Sequence, residues 1–388
     1  MRFHNRSVVR GWMPALLAVL AFLALPAWGQ APSGDARKLG IMLPLTGNSG
    51  KLGQIMLEGA TVAIEQINAS GGAGGRPLVL AVEDSQALSK PGIDGFRKLV
   101  DIERVDTIIT GWTAVVVATA PLADESKTFL MSASTAAPAL RNISPYFQSS
   151  WMFDDETIRL LLPYARNELK VQRLAIMPVV NDLGVGLAKS VRSEWQKLGS
   201  NVIAEESVQV TETNFRSILL KLFESKPDAI YITGNGKQSA QIIRQARDLG
   251  YKGVFLSYGA MEDPEMLTIG DRAERSFYSS PIYDPAVPTA QSKQFVDGFQ
   301  KRFGRAPNVH QANHYDLVYI YKLAIDGLVK QGKPISGVNV RDYVAANMSR
   351  YEGAAGKYAF NSKDGSVLRS SVVKTVKDGK FVKVADLN

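Results

Sequence analysis

The 388-residue sequence contains no cysteine. That absence excludes disulfides, a thiol nucleophile, Cys-ligated zinc and a lipid-bearing N-terminal cysteine. Histidine is nearly as scarce, with His4, His310 and His314 making up the whole complement. His310 and His314 have the i, i+4 spacing of a helical metal pair and Asp316 is near, but no Glu follows the first His and no third ligand is evident. They read as surface or helix-packing residues, and no metal or cofactor is expected. No G-x-S-x-G elbow or G-x-x-x-x-G-K-[ST] phosphate loop occurs. Gly234-Asn235-Gly236 is half of a dinucleotide fingerprint, but Ser239 stands where the third glycine belongs. With no thiol and two unsupported histidines, general-base machinery is thin, and the chain is not expected to be an enzyme. Basic clusters with interleaved aromatics are also missing, so nucleic acid is not an expected partner. Beyond the first thirty residues every apolar run is broken by charge, Gly or Pro, so no membrane span is expected.

What is present begins with a leader. Arg2, Arg6 and Arg10 precede an almost wholly apolar stretch from Trp12 to Leu25, followed by Ala27-Trp28-Gly29. Residues 1–29 therefore read as a cleaved export signal, since the stretch is interrupted by Pro14 and falls short of the roughly 18 to 20 residues a span needs. Removing three arginines and no acid lowers the formal net charge from +8 to +5. An exported chain without an anchor is expected in the periplasm. The 45% hydrophobic content over this length is enough for two buried cores.

Short apolar runs alternate with longer amphipathic segments, the pattern of parallel sheets with crossover helices. Strands are predicted at 39–43, 78–82, 107–110, 129–131, 174–177, 202–205, 229–233 and 254–256. The runs are apolar throughout, as strands covered on both faces should be. After about Pro281 the pattern changes to three helices, near 290–303, 312–330 and 338–347. A β-rich tail follows, in which Asp378-Gly379 joins 372–375 to 381–384 as a hairpin. The fold class is α/β, and the ending suggests that the chain returns to complete lobes begun earlier.

Several segments resemble the periplasmic binding proteins related to the leucine/isoleucine/valine-binding protein. They are Pro44-Leu45-Thr46-Gly47 with Gly53, Ile67-Asn68-Ala69-Ser70-Gly71-Gly72 with Gly75-Arg76-Pro77-Leu78, and Ser132 to Leu140, with Asn181-Asp182-Leu183-Gly184 and Asp263-Pro264-Glu265 further on. The resemblance implies two Rossmann-like lobes with parallel central sheets, joined by a three-crossover hinge that closes on a ligand. Carried onto this chain, one lobe would be 37–153 plus 283–353 and the other 154–282 plus 354–388. Asp154-Asp155-Glu156 then reads as the start of a helix at the hinge. The resemblance also implies a transient partner, an inner-membrane ABC permease, with the binding protein itself a monomer.

Thr110-Gly111-Trp112-Thr113 ends a strand and opens a helix, and Ser132 to Ala136 is read as repeating the arrangement one strand later. Backbone amides at such junctions suit an anion. The candidate ligand contacts are Trp112, Thr113, Ala133, Ser134 and Thr135, although helix capping is a competing reading of each hydroxyl. The two loops coincide with the family's carboxylate-binding loops. Leu52, Trp151, Leu183 and Tyr258 would line the apolar part, and Asn235 would hydrogen-bond the ligand. No carboxylate falls at the end of the 254–256 strand, where amino-acid binders of the family place one, although Glu262 and Asp263 lie close by. The function expected is capture of a small carboxylate with an apolar or aromatic body for an ABC importer. The alternatives are a branched-chain or other hydrophobic amino acid, or a ligand-sensing receptor module.

Overall fold

The protein is described by a computed structural model that covers residues 35–283 and 290–387; the leader lies outside the described residues. The first sheet is built from β1 (Arg37–Leu43), β2 (Leu78–Asp84), β3 (Thr107–Thr110), β4 (Phe129–Ser132) and β5 (Phe147–Ser149), with α1 (Gly50–Ala69), α2 (Ser89–Arg97) and α3 (Thr113–Ser126) as crossovers. Its order is β2-β1-β3-β4-β5 and every pairing is parallel. Successive residues of a strand point to opposite faces, and both faces are covered. Leu39, Ile41 and Leu43 enter one core, while Met42 enters the other with Ile108 and Leu130. That is why these strands read as continuous apolar runs.

The chain then builds a second sheet with α4 (Asp154–Asn167), β6 (Leu174–Met177), α5 (Asp182–Lys197), β7 (Ala204–Glu205), α6 (Arg216–Glu224), β8 (Ala229–Ile232), α7 (Gly236–Asp248), β9 (Val254–Ser257), α8 (Pro264–Thr268) and β10 (Ser276–Pro281). Three long helices follow, α9 (Ala290–Phe303), α10 (Val309–Lys330) and α11 (Gly337–Asn347). They return to the first lobe, where Phe295, Val318 and Val340 share a core with β1 and α1. Gly59 lets α1 lie directly against α10, because a Cβ there would overlap the Gln311 carbonyl. The tail contributes β11 (Arg350–Gly353), β12 (Gly356–Asn361) and β13 (Ser366–Leu368), a small antiparallel sheet. It ends in the hairpin β14 (Ser371–Lys377) and β15 (Lys380–Leu387), which turns at Asp378-Gly379. β14 pairs antiparallel with β10, so the second sheet has the order β15-β14-β10-β9-β8-β6-β7.

The division of the tail differs from the expectation. A boundary after Gly353 would cut the β11–β12 pairing, in which Gly353 faces Gly356. It would also part Ala354, Ala355, Tyr358 and Val367 from the first-lobe core in which they are buried. The chain passes to the second sheet between Leu368 and Ser371. Hydrogen bonds tie the crossovers together: Ile282 N donates to Ser370 O at 2.9 Å, and the Arg369 guanidinium donates to Ser150 O at 3.3 Å and Asn313 Oδ1 at 2.9 Å. Asp316 anchors the same region, accepting from the amides of Ala354 (2.6 Å) and Ala355 (2.8 Å) and from Tyr358 Oη (2.7 Å). Burial first pushes the Asp316 carboxyl up to about 6, against these bonds and the nearby Arg369.

Candidate functional site

Parallel strands end on one edge of each sheet, and open α/β folds bind ligands there. At that edge of the first lobe the loops after β3 and β4 touch. A Cβ on Gly111 would overlap Ser134 Oγ, so glycine at 111 is what lets the two loops meet. Thr110 Oγ1 and Ser134 Oγ are both buried with no hydrogen-bond partner among the described residues. The first bonds of α3 run from the amides of Val115 and Val116 to Trp112 O, at 3.1 and 3.0 Å, which leaves the Thr113 and Ala114 amides ahead of the helical ladder. No side chain caps this helix. Two amides and two hydroxyls thus stand without partners in the ladder or the loops at this strand-to-helix junction.

The second loop is different from the expectation. No α-helix opens after β4; residues 133–137 run irregularly into a single 3-10 turn, Pro138–Leu140. Ser132 Oγ and Thr135 Oγ1 bond to each other at 2.6 Å, and Ala133 O accepts from the Asn313 side chain at 3.2 Å. Neither Ser134 nor Thr135 is a helix cap. Buried Thr135 contributes to the shape of the loop, and Ser134 is the hydroxyl left over.

Trp112 sits at φ +64°, ψ 128°. A bulky side chain rarely takes that conformation, and residues held so cluster at ligand sites. Its ring packs against both first-lobe cores. Trp151 is buried and stacks on His310, with centroids 5.2 Å apart and rings 5° from parallel. Its other neighbour is Gly259, where a Cβ would press on the indole, so Trp151 of the first crossover lies beside Tyr258 at the end of β9. Leu183 packs against the Ile158–Leu187 core of the second lobe and also against the Phe96–Val115 core of the first. It spans the junction between lobes, as does the ion pair Lys51–Glu265 at 3.7 Å. Leu52 is half-buried against the first lobe alone. Asn235 is exposed, and its Oδ1 accepts from Gln238 N at 2.9 Å, capping α7. One acceptor site of the amide is thus used by the fold.

The acids near β9 are also engaged. Asp263 caps α8, accepting from Glu265 N at 2.8 Å. Glu262 is no cap; it forms a buried ion pair with Lys374 Nζ at 2.7 and 2.9 Å and accepts from Ser280 Oγ at 3.3 Å. A buried carboxylate neutralised in this way is not available to a ligand's ammonium. His310 and His314 are buried within helix packing; burial holds both down at about 4, so they are neutral at physiological pH. Among the described residues no group of three His, Asp or Glu could hold a metal ion, and no helix is long and apolar enough to cross a membrane.

One group escaped the reading of the sequence. Asp154, the first residue of α4, is fully buried, with Oδ1 accepting from Thr157 Oγ1 at 3.1 Å and Oδ2 unpartnered. Its amide donates to Ala136 O at 2.7 Å, which places it against the loop after β4. In the sequence it is the first of three consecutive acids, and nothing marks it off from Asp155 and Glu156, which pair with Arg141 on the surface. One surface cavity, of about 510 Å³, is lined by Arg216, Arg244 and Arg272, and another, of about 410 Å³, borders the β4–β5 connection at Arg141 beside Phe153 and Phe360.

Comparison with known proteins agrees with this architecture. The profile of the periplasmic binding protein family matches residues 37–380. Leu/Ile/Val-binding protein homolog 3 of Brucella melitensis is 25% identical over 259 residues, 66% of this chain and 69% of its own length. A leucine-binding protein of Thermotoga maritima superposes with a TM-score of 0.81 at 24% identity, covering 91% of this chain and 99% of that one. A solute-binding protein of an ABC transporter from R. palustris, solved with 4-hydroxybenzoate, also gives 0.81, at 17% identity, covering 91% and 97%. These likenesses show the shared two-lobed fold, which is one of substrate-binding proteins and not of enzymes. With the family profile spanning both lobes, the chain belongs to the periplasmic binding protein family, as a type I member related to the leucine/isoleucine/valine-binding proteins.

Proposed function

We propose that this chain is the solute-binding component of an ATP-driven importer and that its interlobe cleft takes a small carboxylate with an apolar or aromatic body. The observation that carries this reading is the pair of unpartnered buried hydroxyls, Thr110 Oγ1 and Ser134 Oγ, set beside the uncapped start of α3. Buried polar groups normally find partners, and a carboxylate supplies acceptors for hydroxyls and helix-end amides at once. Trp112, Trp151, Leu183 and Tyr258 offer the apolar enclosure, and the solved relative holding 4-hydroxybenzoate supports an aromatic acid. With Glu262 committed to Lys374, a plain α-amino acid is the weaker candidate. It is retained as the second reading because of the likeness to the leucine-binding protein.

In this reading residues 1–29 direct export and are removed, the protein works as a periplasmic monomer, and a membrane permease receives the closed form. The lobes are 37–153 with 283–368 and 154–282 with 369–387. A thermal-shift screen over benzoate, hydroxybenzoates, leucine, isoleucine and valine tests the ligand class. Stabilisation by aromatic acids is expected. Stabilisation by the amino acids alone overturns the aromatic reading and leaves the second one standing.

A further inference from the structure

The first crossover delivers Asp154 to the inner edge of the second lobe. α4 runs antiparallel to β6, which it precedes, and its 14 residues span about 21 Å, so its first residue stands at the edge where the parallel strands end. Tyr231 near the end of β8 and Tyr258 just beyond β9 stand on the same edge. All three side chains are buried, and the Asp154 Oδ2 and Tyr231 Oη atoms have no hydrogen-bond partner among the described residues. Tyr231 and Tyr258 lie in one core with Ile158, Leu161 and Leu162 of α4; burial first, and then Asp154, push both phenols up. Burial likewise pushes the Asp154 carboxyl well above the ordinary carboxylate range, with Asp155 adding to the effect and Thr157 opposing it. The Asp154 amide bond to Ala136 O joins it to the loop that carries Ser134.

We infer that Asp154, Tyr231 and Tyr258 form a second polar subsite, which recognises a hydroxyl substituent on the ligand whose carboxylate is held at Thr110–Ser134. This inference rests on the aromatic-acid reading above. A carboxyl and two phenols offer donors and acceptors together, which matches a hydroxyl, itself donor and acceptor. An ammonium brings three donors and a charge, and burial disfavours the carboxylate form of Asp154 that would balance it. The unmet oxygens also give the subsite its discrimination, because a ligand lacking the hydroxyl leaves buried polar groups unpaired.

The test compares dissociation constants for benzoate, 3-hydroxybenzoate and 4-hydroxybenzoate, measured by titration calorimetry on the full exported chain and on Asp154→Ala, Asp154→Asn and Tyr231→Phe. One of the hydroxylated acids is expected to bind the unaltered protein at least tenfold more tightly than benzoate. In Asp154→Ala that ratio falls towards one, and in Tyr231→Phe, which removes a single oxygen and keeps the ring, it falls part of the way. A ratio that survives in Tyr231→Phe and in whichever Asp154 variants fold overturns the subsite and leaves the aromatic-acid reading intact. Absence of binding by all three acids to the unaltered protein, with leucine or isoleucine binding instead, overturns that reading and the subsite together.

Discussion

At the scale of single residues, the site is made of groups that the fold holds against their own preferences. Trp112 is the plainest case, since a φ of +64° costs of order 1–3 kcal/mol for such a side chain. Two substitutions separate the backbone from the ring. Trp112→Ala should weaken ligand binding at least tenfold, equivalent to about 1.4 kcal/mol, while the protein still unfolds cooperatively. Trp112→Gly loses the same ring but accepts the backbone conformation, and by denaturant melts it should be the more stable of the two by about 1 kcal/mol. Equal stabilities would show that the backbone at 112 relaxes, and unchanged affinity would remove the indole from the site. None of this strain was visible in the sequence, where Trp112 was simply an aromatic at a strand end. Asn235 differs, since its role as the cap of α7 rests on a local interval of three residues to Gln238.

At the scale of elements, legibility followed burial. The four-residue strands β3, β6 and β9 and the long α10 were read because a sheet covered on both faces demands unbroken apolar runs. β5 has three residues, and β10 is Ser-Phe-Tyr-Ser-Ser-Pro; neither carries a periodic pattern, and both are strands because neighbours bring them into register. The loop after β4 was misread as a helix start, since the Ser-Ala-Ser-Thr run has capping residues but only one 3-10 turn follows. The pairing of β10 with β14 brings Lys374 to Glu262, a contact between residues 112 positions apart with side-chain exposures of only 10% and 9%. Breaking a buried pair strands the remaining charge, so Lys374→Met should lower the unfolding free energy by about 3–5 kcal/mol. The double replacement with Glu262→Gln should recover most of that loss in urea melts. If the single and double variants melt alike, the pair contributes through lysine packing and not through charge.

At the scale of the whole molecule, the two sheets are separate bodies, joined by crossovers that hydrogen-bond one another near Ser150, Ile282 and Arg369. Leu183 and the Lys51–Glu265 pair meet across the junction, and ligand contacts to both lobes can shift the balance between open and closed forms. Small-angle scattering should show a smaller radius of gyration when the ligand found by thermal shift is added; an unchanged radius excludes hinge closure as the response. What the sequence by itself determined is the inventory: a chain without cysteine, two α/β lobes and the strand-end loops, because apolar periodicity and turn residues are local properties. What only the tertiary structure decided is where the tail divides, which acids are already paired, and that Asp154 is buried with its Oδ2 left without a partner. Those are decided by residues far apart in the chain, since burial and pairing depend on what the fold brings alongside and not on what lies next in sequence.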